Sequence, residues 1–174
     1  AVPLVSRLEE VLATMLEEGL IDDAVLATSE AKRRGMWARR EAAAEIAGGL
    51  EPVVDFDVCL PLDRVDAFLT GAEARLSALD PGFRTLTVAH LGDGNLHFSV
   101  FPSRDDAGLN DALMEAVEDV VQELGGSFSA EHGIGLSKLP SMRRRKDPVA
   151  LEVMLAVKAA LDPAGLMNPG KVIP

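Results

Sequence analysis

The chain has 174 residues, of which 17 are basic and 28 acidic, giving a net charge of −11 at neutral pH. Such acidity excludes binding to nucleic acid or an anionic membrane through overall charge. The single cysteine, Cys59, excludes an internal disulfide and a cysteine-rich zinc module.

Helical and extended patterns alternate through the first half of the chain. Ser6 and Glu9 match a capping box in front of the first apolar helical face. A strand that alternates in polarity ends at Pro61. The predicted elements are a helix over 6–19, a strand over 24–28, a helix over 29–47, a strand over 53–60 and a helix over 63–79.

The second half begins with a predicted hairpin. Gly92-Asp93-Gly94-Asn95 is a strong turn signal between two apolar runs. The basic run 143–146 is predicted to be a solvated loop. The predicted elements are strands over 84–90 and 96–101 and helices over 107–124 and 148–161.

These elements predict an α+β domain, in which an antiparallel sheet carries helices on one face in the ferredoxin-like style. No apolar run approaches the roughly 20 residues that span a membrane. The first residues lack the features of a signal peptide. We therefore expect a soluble, cytoplasmic protein.

The three histidines, His90, His97 and His132, all lie in glycine-rich segments. His90 and His97 flank the predicted turn, and directly opposed residues of a hairpin point to the same face about 5 Å apart. Two such imidazoles can share one divalent metal, with Glu131 as a third ligand. Hairpin histidines satisfied by the backbone or by water remain the alternative.

His132 is predicted to act differently from its neighbour Glu131. In an extended segment adjacent side chains diverge, so both would not reach one metal. An imidazole beside a metal site suits a general base.

Three segments in order, 89–97, 125–135 and 161–171, contain Ala-His-Leu-Gly-Asp-Gly-Asn-Leu-His, Gly-Gly-Ser-Phe-Ser-Ala-Glu-His-Gly-Ile-Gly and Leu-Asp-Pro-Ala-Gly-Leu-Met-Asn-Pro-Gly-Lys. Together they resemble the C-terminal cap domain of the FAD-linked oxidases, within the vanillyl-alcohol oxidase superfamily. That family includes D-lactate dehydrogenases, the glycolate oxidase flavin subunit and D-2-hydroxyglutarate dehydrogenase. The resemblance extends from about Leu8 to the last residue.

The resemblance implies a flavoenzyme in which an N-terminal domain binds FAD and the cap holds the substrate. It implies oxidation of a 2-hydroxy acid to a 2-oxo acid, with hydride transfer to the flavin and then to an unidentified electron acceptor. By matching motifs, the implied site residues are His90, His97 and Glu131 for a divalent metal, usually zinc, His132 for the base, Arg40 for the substrate carboxylate and Asn168 for the flavin.

The resemblance also implies what this chain lacks. Residues 1–174 would form an incomplete cap without the FAD-binding domain, so we expect the isolated chain to be inactive. An incomplete cap would expose apolar surface, which allows a homo-oligomer.

Three positions depart from the hydroxyglutarate branch of the family. Asp55, Ala44 and Ser99 stand where that branch has a lysine, a threonine and an asparagine serving the distal substrate carboxylate. Asp55 would repel a second carboxylate, so we expect 2-hydroxyglutarate not to be the preferred substrate.

Two other functions are compatible with the residues alone. Two histidines and one carboxylate could serve a stand-alone metalloenzyme that works without flavin. The domain could instead be a non-catalytic binding or assembly module, whose interactions would not depend on His97 or Glu131.

Overall fold

A computed structural model describes residues 3–42 and 50–174 and divides the chain into two compact units, 1–45 and 46–174. None of the helices in those described residues is long and apolar enough to span a membrane. The helices are α1 (Leu4–Glu17), α2 (Glu30–Glu41), α3 (Val65–Leu79), α4 (Ala107–Glu123), α5 (Leu139–Arg145) and α6 (Pro148–Leu161). The strands are β1 (Val54–Cys59), β2 (Arg84–His90) and β3 (Asn95–Phe101).

The first unit contains α1 and α2. Helix α1 begins earlier than predicted, because the Pro3 carbonyl already accepts the Arg7 N–H at 3.0 Å. The capping box predicted at Ser6 is therefore wrong, and Ser6 lies inside the helix. Helix α2 begins as predicted, with the Ser29 hydroxyl accepting the Lys32 N–H.

The strand predicted over 24–28 is wrong, since these residues form no regular secondary structure. No other extended segment is present in the described part of this unit to pair with them, and a single strand leaves its backbone groups unpaired. The end predicted for the second helix, at 47–49, lies outside the described residues.

The sheet of the second unit is antiparallel, in the order β1-β3-β2. The predicted turn joins β2 to β3. Gly94 adopts a φ of +78°, and its carbonyl accepts the Leu60 N–H at 3.0 Å. A Cβ at this position would lie 2.0 Å from the Leu60 carbonyl oxygen, so only glycine fits.

Helices α3 and α4 pack against one face of this sheet. Alternate residues of β1 and β3 point toward them, and the rings of Phe68 and Phe98 meet edge to face at 5.4 Å. The predicted α+β fold, with helices on an antiparallel sheet, is thereby confirmed. The buried residues of this core are Val54, Phe56, Val58, Leu60, Phe68, Ala72, Leu76, Leu96, Phe98, Val100, Leu109, Leu113, Val117, Val120 and Val121.

Of the loop predicted over 143–146, residues 143–145 instead form the end of α5, and Lys146 follows it. Glu118 of α4 is only 4% exposed, and its carboxylate accepts hydrogen bonds from Ser141 and from Arg145. Arg144 adds an ion pair at 3.6 Å. A buried carboxylate requires such partners, so the basic run is held against α4 rather than in solvent.

Candidate metal centre

The hairpin makes His90 and His97 a diagonal cross-strand pair, not a directly opposed one. His90 lies opposite Asn95, and His97 lies opposite Val88. The four-residue turn makes His90 and Asn95 the closing pair, so the predicted register is wrong by two positions. Residues two positions apart on neighbouring strands share a face, and long side chains still meet. The two Nε2 atoms lie 3.2 Å apart.

Glu131 completes a group of three donor atoms. Its Oε1 lies 3.1 Å from the Nε2 of His97 and 3.8 Å from the Nε2 of His90. Two nitrogens bound tetrahedrally to zinc, each at about 2.0–2.1 Å, would be about 3.3–3.4 Å apart. The spacing of the two imidazoles therefore fits one shared ion.

The loop that carries Glu131 is attached to β1 through the backbone. Cys59 and Ser127 exchange N–H···O=C hydrogen bonds of 3.0 and 2.8 Å, and the Ala130 N–H donates to the Asp57 carbonyl. Gly126 allows this approach, since a Cβ there would lie 2.6 Å from the Cys59 carbonyl oxygen. The close attachment places Glu131 over the face of the sheet opposite α3 and α4.

His132 lies beside the group. Its ring stacks on that of His97, with centroids 5.1 Å apart, and its Nε2 is 3.7 Å from the Glu131 Oε1. The segment is bent rather than extended. Neighbouring side chains therefore come together instead of diverging as predicted.

Asp57 is the important residue that the sequence interpretation missed. Its side chain is 4% exposed, and its Oδ2 accepts the N–H groups of Ala130, Glu131 and His132 at 3.2, 3.0 and 2.8 Å. The Lys138 ammonium adds a fourth contact at 3.3 Å. Burial raises the pKa of the Asp57 carboxyl, but these donors outweigh it and hold the pKa below its usual value.

The only sequence signal for Asp57 was its place in a strand whose other face is apolar. Alternation puts such a residue on the opposite face, where a charged side chain is expected to meet solvent. Nothing in the local sequence shows that the loop around Glu131 covers it.

A second donor set overlaps the first. Asp57, His97, Glu131 and His132 each offer one atom within 4.8 Å of the others. The Asp57 Oδ2 is already filled by N–H donors, whereas its buried Oδ1 has no hydrogen-bond partner in the part of the chain that the structure describes. His97 and Glu131 belong to both sets, and each set offers the nitrogen and oxygen ligands that a divalent cation such as zinc takes.

A cavity of about 450 Å³ opens beside these residues. His97 and His132 line it together with Asp55, Ser99 and Lys138. Its size suits a small molecule.

Arg40 and Asn168, the remaining predicted site residues, lie away from the hairpin in sequence. Arg40 is an exposed residue of α2, in the first unit. Its role stays a prediction.

Asn168 lies in the turn that follows α6, with a left-handed φ of +46° and an exposed side chain. Asp162 organises this turn by accepting the N–H groups of Leu166 and Met167 at 2.9 and 2.8 Å. With the Lys158 ammonium, these donors lower the pKa of the Asp162 carboxyl to about 2. The contact of Asn168 with a flavin stays a prediction.

Comparison with known proteins identifies the family of this chain. Residues 4–172 match the family of FAD linked oxidases, C-terminal domain. The chain is 35% identical to the D-2-hydroxyglutarate dehydrogenase of Stutzerimonas stutzeri, over 95% of this chain and 37% of that protein. It is 36% identical to the mitochondrial D-2-hydroxyglutarate dehydrogenase of Bos taurus, over 94% of this chain and 30% of that protein.

The chain thus spans about a third of the length of these relatives. The family match extends over nearly all of its residues, including the hairpin, the Glu131 loop and the turn after α6. The chain therefore belongs to the FAD-linked oxidase family, as a C-terminal domain.

Proposed function

We propose that this chain is the substrate- and metal-binding cap domain of an FAD-dependent dehydrogenase that converts a 2-hydroxy acid to a 2-oxo acid. The observation that supports this most directly is the convergence of two imidazole nitrogens and the Glu131 carboxylate beside a cavity. The FAD-binding domain lies outside this chain, so the isolated chain does not turn over substrate.

His90, His97 and Glu131 hold a divalent cation in this proposal. Three protein ligands leave coordination positions open, which is typical of catalytic rather than structural sites. When bound, the cation supplies a Lewis acid for the 2-hydroxyl group, and the flavin supplies an acceptor for the hydride from C2.

His132 is the general base. Its ring is well exposed and lines the cavity, so its Nε2 can reach a bound hydroxyl group. Stacking on His97 limits the rotation of the ring. The base therefore accepts the hydroxyl proton from a fixed direction.

Arg40 and Asn168 have roles that rest on the resemblance of their motifs. A guanidinium at Arg40 binds the substrate carboxylate through two parallel hydrogen bonds. Asn168 contacts the flavin from the turn after α6.

The charge of the cavity lining supports a proposal for the substrate class. Asp55 lines it, and the Asp55 carboxylate accepts a hydrogen bond from the Ser99 hydroxyl. Among the described residues that line it, the only ammonium is that of Lys138, which already contacts Asp57. A second substrate carboxylate would meet negative charge, so we propose a monocarboxylic 2-hydroxy acid such as D-lactate, although the relatives are named for 2-hydroxyglutarate.

The test uses this domain within its full-length flavoprotein. Flavin reduction is followed by absorbance with D-lactate and with D-2-hydroxyglutarate, in the wild type and in Asp55→Asn and Asp55→Lys. We expect D-lactate to react faster in the wild type. Asp55→Lys should raise kcat/KM for D-2-hydroxyglutarate roughly tenfold, or about 1.4 kcal/mol, with a smaller gain in Asp55→Asn.

Two outcomes would contradict different parts of the proposal. Equal rates with both acids in the wild type would overturn the substrate class. A fully active His97→Ala variant would overturn the site itself.

A further inference from the structure

The two edges of the sheet differ in what covers them. At the β1 edge, the loop that carries Glu131 adds two isolated bridges, at Asp57 and at Cys59. At the β2 edge, no further strand pairs in the part of the chain that the structure describes. None of the seven residues of β2 is buried, whereas five of the seven in β3 are. The β2 edge therefore offers its backbone N–H and C=O groups to another strand.

The sequence of β2 lacks the features that keep an open edge from pairing. Natural edge strands carry charged side chains, proline or a bulge. Residues 85–89, Thr-Leu-Thr-Val-Ala, contain no charge and no proline. The pairing with β3 advances one residue at a time from Arg84 to His90, so β2 has no bulge. It is a regular, uncharged edge in a chain whose net charge is −11.

We propose that two copies of this chain pair through their β2 edges, antiparallel and in a register centred on Thr87. A strand that pairs with its own copy about a two-fold axis overlaps over its full length only when its central residue faces itself. That register sets Leu86 opposite Val88 and Thr85 opposite Ala89. Main-chain hydrogen bonds then join the two sheets into one continuous antiparallel sheet.

The side chains of β2 are compatible with this register on both faces. Leu86 and Val88 lie on the face opposite α3 and α4, so the two copies form apolar cross-strand pairs there. Thr85, Thr87 and Ala89 lie on the helix side, where a cavity of about 440 Å³ is lined by β2 and α3. These side chains are small, and the cavity leaves space for those of the second copy.

Charge complementarity favours a second copy as the occupant of this edge. Arg84 is exposed and lies on the same face of β2 as His90. In the proposed register it stands opposite His90 of the second copy, whose Nε2 is 3.8 Å from the half-exposed Glu131 carboxylate. The two-fold axis repeats this arrangement. Each copy therefore brings a guanidinium to the acidic candidate metal centre of the other.

The experiment measures the mass of the 174-residue chain by sedimentation equilibrium. Dimerisation depends on protomer concentration, so the chain is compared over a dilution from about 200 to 1 µM. We expect the wild type to approach twice the chain mass of 18.5 kDa at the highest concentration. Neither flavin nor metal is added, so a failure of the proposed function does not affect the result.

Two double variants test the register. Thr85→Lys/Ala89→Lys sets like charges directly opposite each other across the two-fold axis and should raise the dimer Kd at least about tenfold. Thr85→Lys/Ala89→Glu sets opposite charges there and should keep the Kd within about threefold of the wild type. The first variant is the less acidic one, so general self-repulsion predicts the reverse order. Both replaced residues are exposed, and circular dichroism checks that the fold is kept.

Val153→Lys is the matched control, because Val153 is an exposed apolar residue of α6, outside the sheet. It should leave the Kd unchanged. A wild-type chain that stays monomeric at about 200 µM would overturn the proposal and leave the edge to a strand from another domain or protein. A dimer that Thr85→Lys/Ala89→Lys leaves intact, or that Val153→Lys disrupts, would also overturn it. Equal weakening by the two double variants would overturn the register.

Discussion

The two faces of the three-stranded sheet differ in what covers them, although neighbouring residues of the same strands supply both faces. Phe56 and Phe98 lie opposite each other and point toward α3 and α4, whereas Asp57 and His97, the next opposed pair, point toward the Glu131 loop. The first face is buried under apolar side chains. On the second face a network of hydrogen bonds surrounds the buried Asp57 carboxylate, while Glu131 and His132 remain exposed.

The contrast shows what each kind of burial requires of a sequence. Apolar packing depends on volume and shape, and similar side chains can replace one another at moderate cost. The polar face depends on particular atoms. One oxygen of Asp57 accepts hydrogen bonds from four N–H donors, so a side chain without an acceptor there would leave four buried donors unpaired.

The largest expected effect on stability is on the helix-facing side. Phe98→Ala removes a ring that is 3% exposed and contacts Phe68, and it should lower the free energy of unfolding by about 3–5 kcal/mol. Urea denaturation followed by circular dichroism measures this loss.

The matched control is His97→Ala, which changes the residue next to Phe98 on the opposite face of the sheet. It should change the free energy of unfolding by less than about 1.5 kcal/mol, because the ring is about a quarter exposed, yet abolish Zn²⁺ binding. Equal losses of unfolding free energy in Phe98→Ala and His97→Ala would contradict the expectation that only the helix-facing side depends on apolar packing.

The next effect concerns Glu118, a polar group buried on the apolar side. Glu118→Ala leaves Arg145 and Ser141 without their carboxylate and should cost about 3 kcal/mol, since removing one partner of a buried ion pair is expensive. Glu115→Ala on the same helix removes an exposed carboxylate 3.8 Å from Arg144 and should cost less than about 1 kcal/mol. The same urea titration compares the two variants, and equal costs would show that Glu118 is not a specific anchor for α5.

The smallest effect is a pH dependence at the turn after α6. The pKa of Asp162 falls to about 2 in the folded chain, below the ordinary value of about 3.9 for an unfolded aspartate. Its ionised form therefore stabilises the fold above about pH 4, and this contribution is lost as the pH falls toward 2.

Asp162→Asn removes that contribution. Its stability deficit against the wild type should be full at neutral pH and should shrink between about pH 4 and pH 2. Thermal unfolding of both proteins across this range measures the difference. A deficit that does not change with pH would mean that the carboxylate charge is not what holds the turn.

Much of the fold could be predicted from local patterns. The hairpin, both core strands, α3, α4 and α6 follow from apolar periodicity and from turn residues such as Gly94. The strand over 24–28 was a wrong prediction, because a short apolar run does not reveal whether a partner strand exists. Helix α5 was not predicted, because its sequence is as polar as that of a loop. The contact that holds it, between Arg145 and Glu118 of α4, is apparent only in the structure.

The candidate site was predicted only in part. Glycine-rich segments around His90, His97 and Glu131 indicated the three donors that the structure brings together. The diagonal register and the bend at His132 depend on turn geometry, which periodicity does not specify. Asp57 carried no signal of its own, since an aspartate in an alternating strand looks like a solvent-facing residue.

The sequence by itself determined which segments become helices and strands, and which donor types are available, because these depend on side chains within a few residues of each other. Only the tertiary structure decided which polar atoms share a buried space. Asp57 and Glu131 are 74 positions apart, yet the carboxylate of one accepts the N–H of the other. That contact exists because the Glu131 loop docks on β1, where the gain from four hydrogen bonds to one carboxylate outweighs the cost of burying its charge.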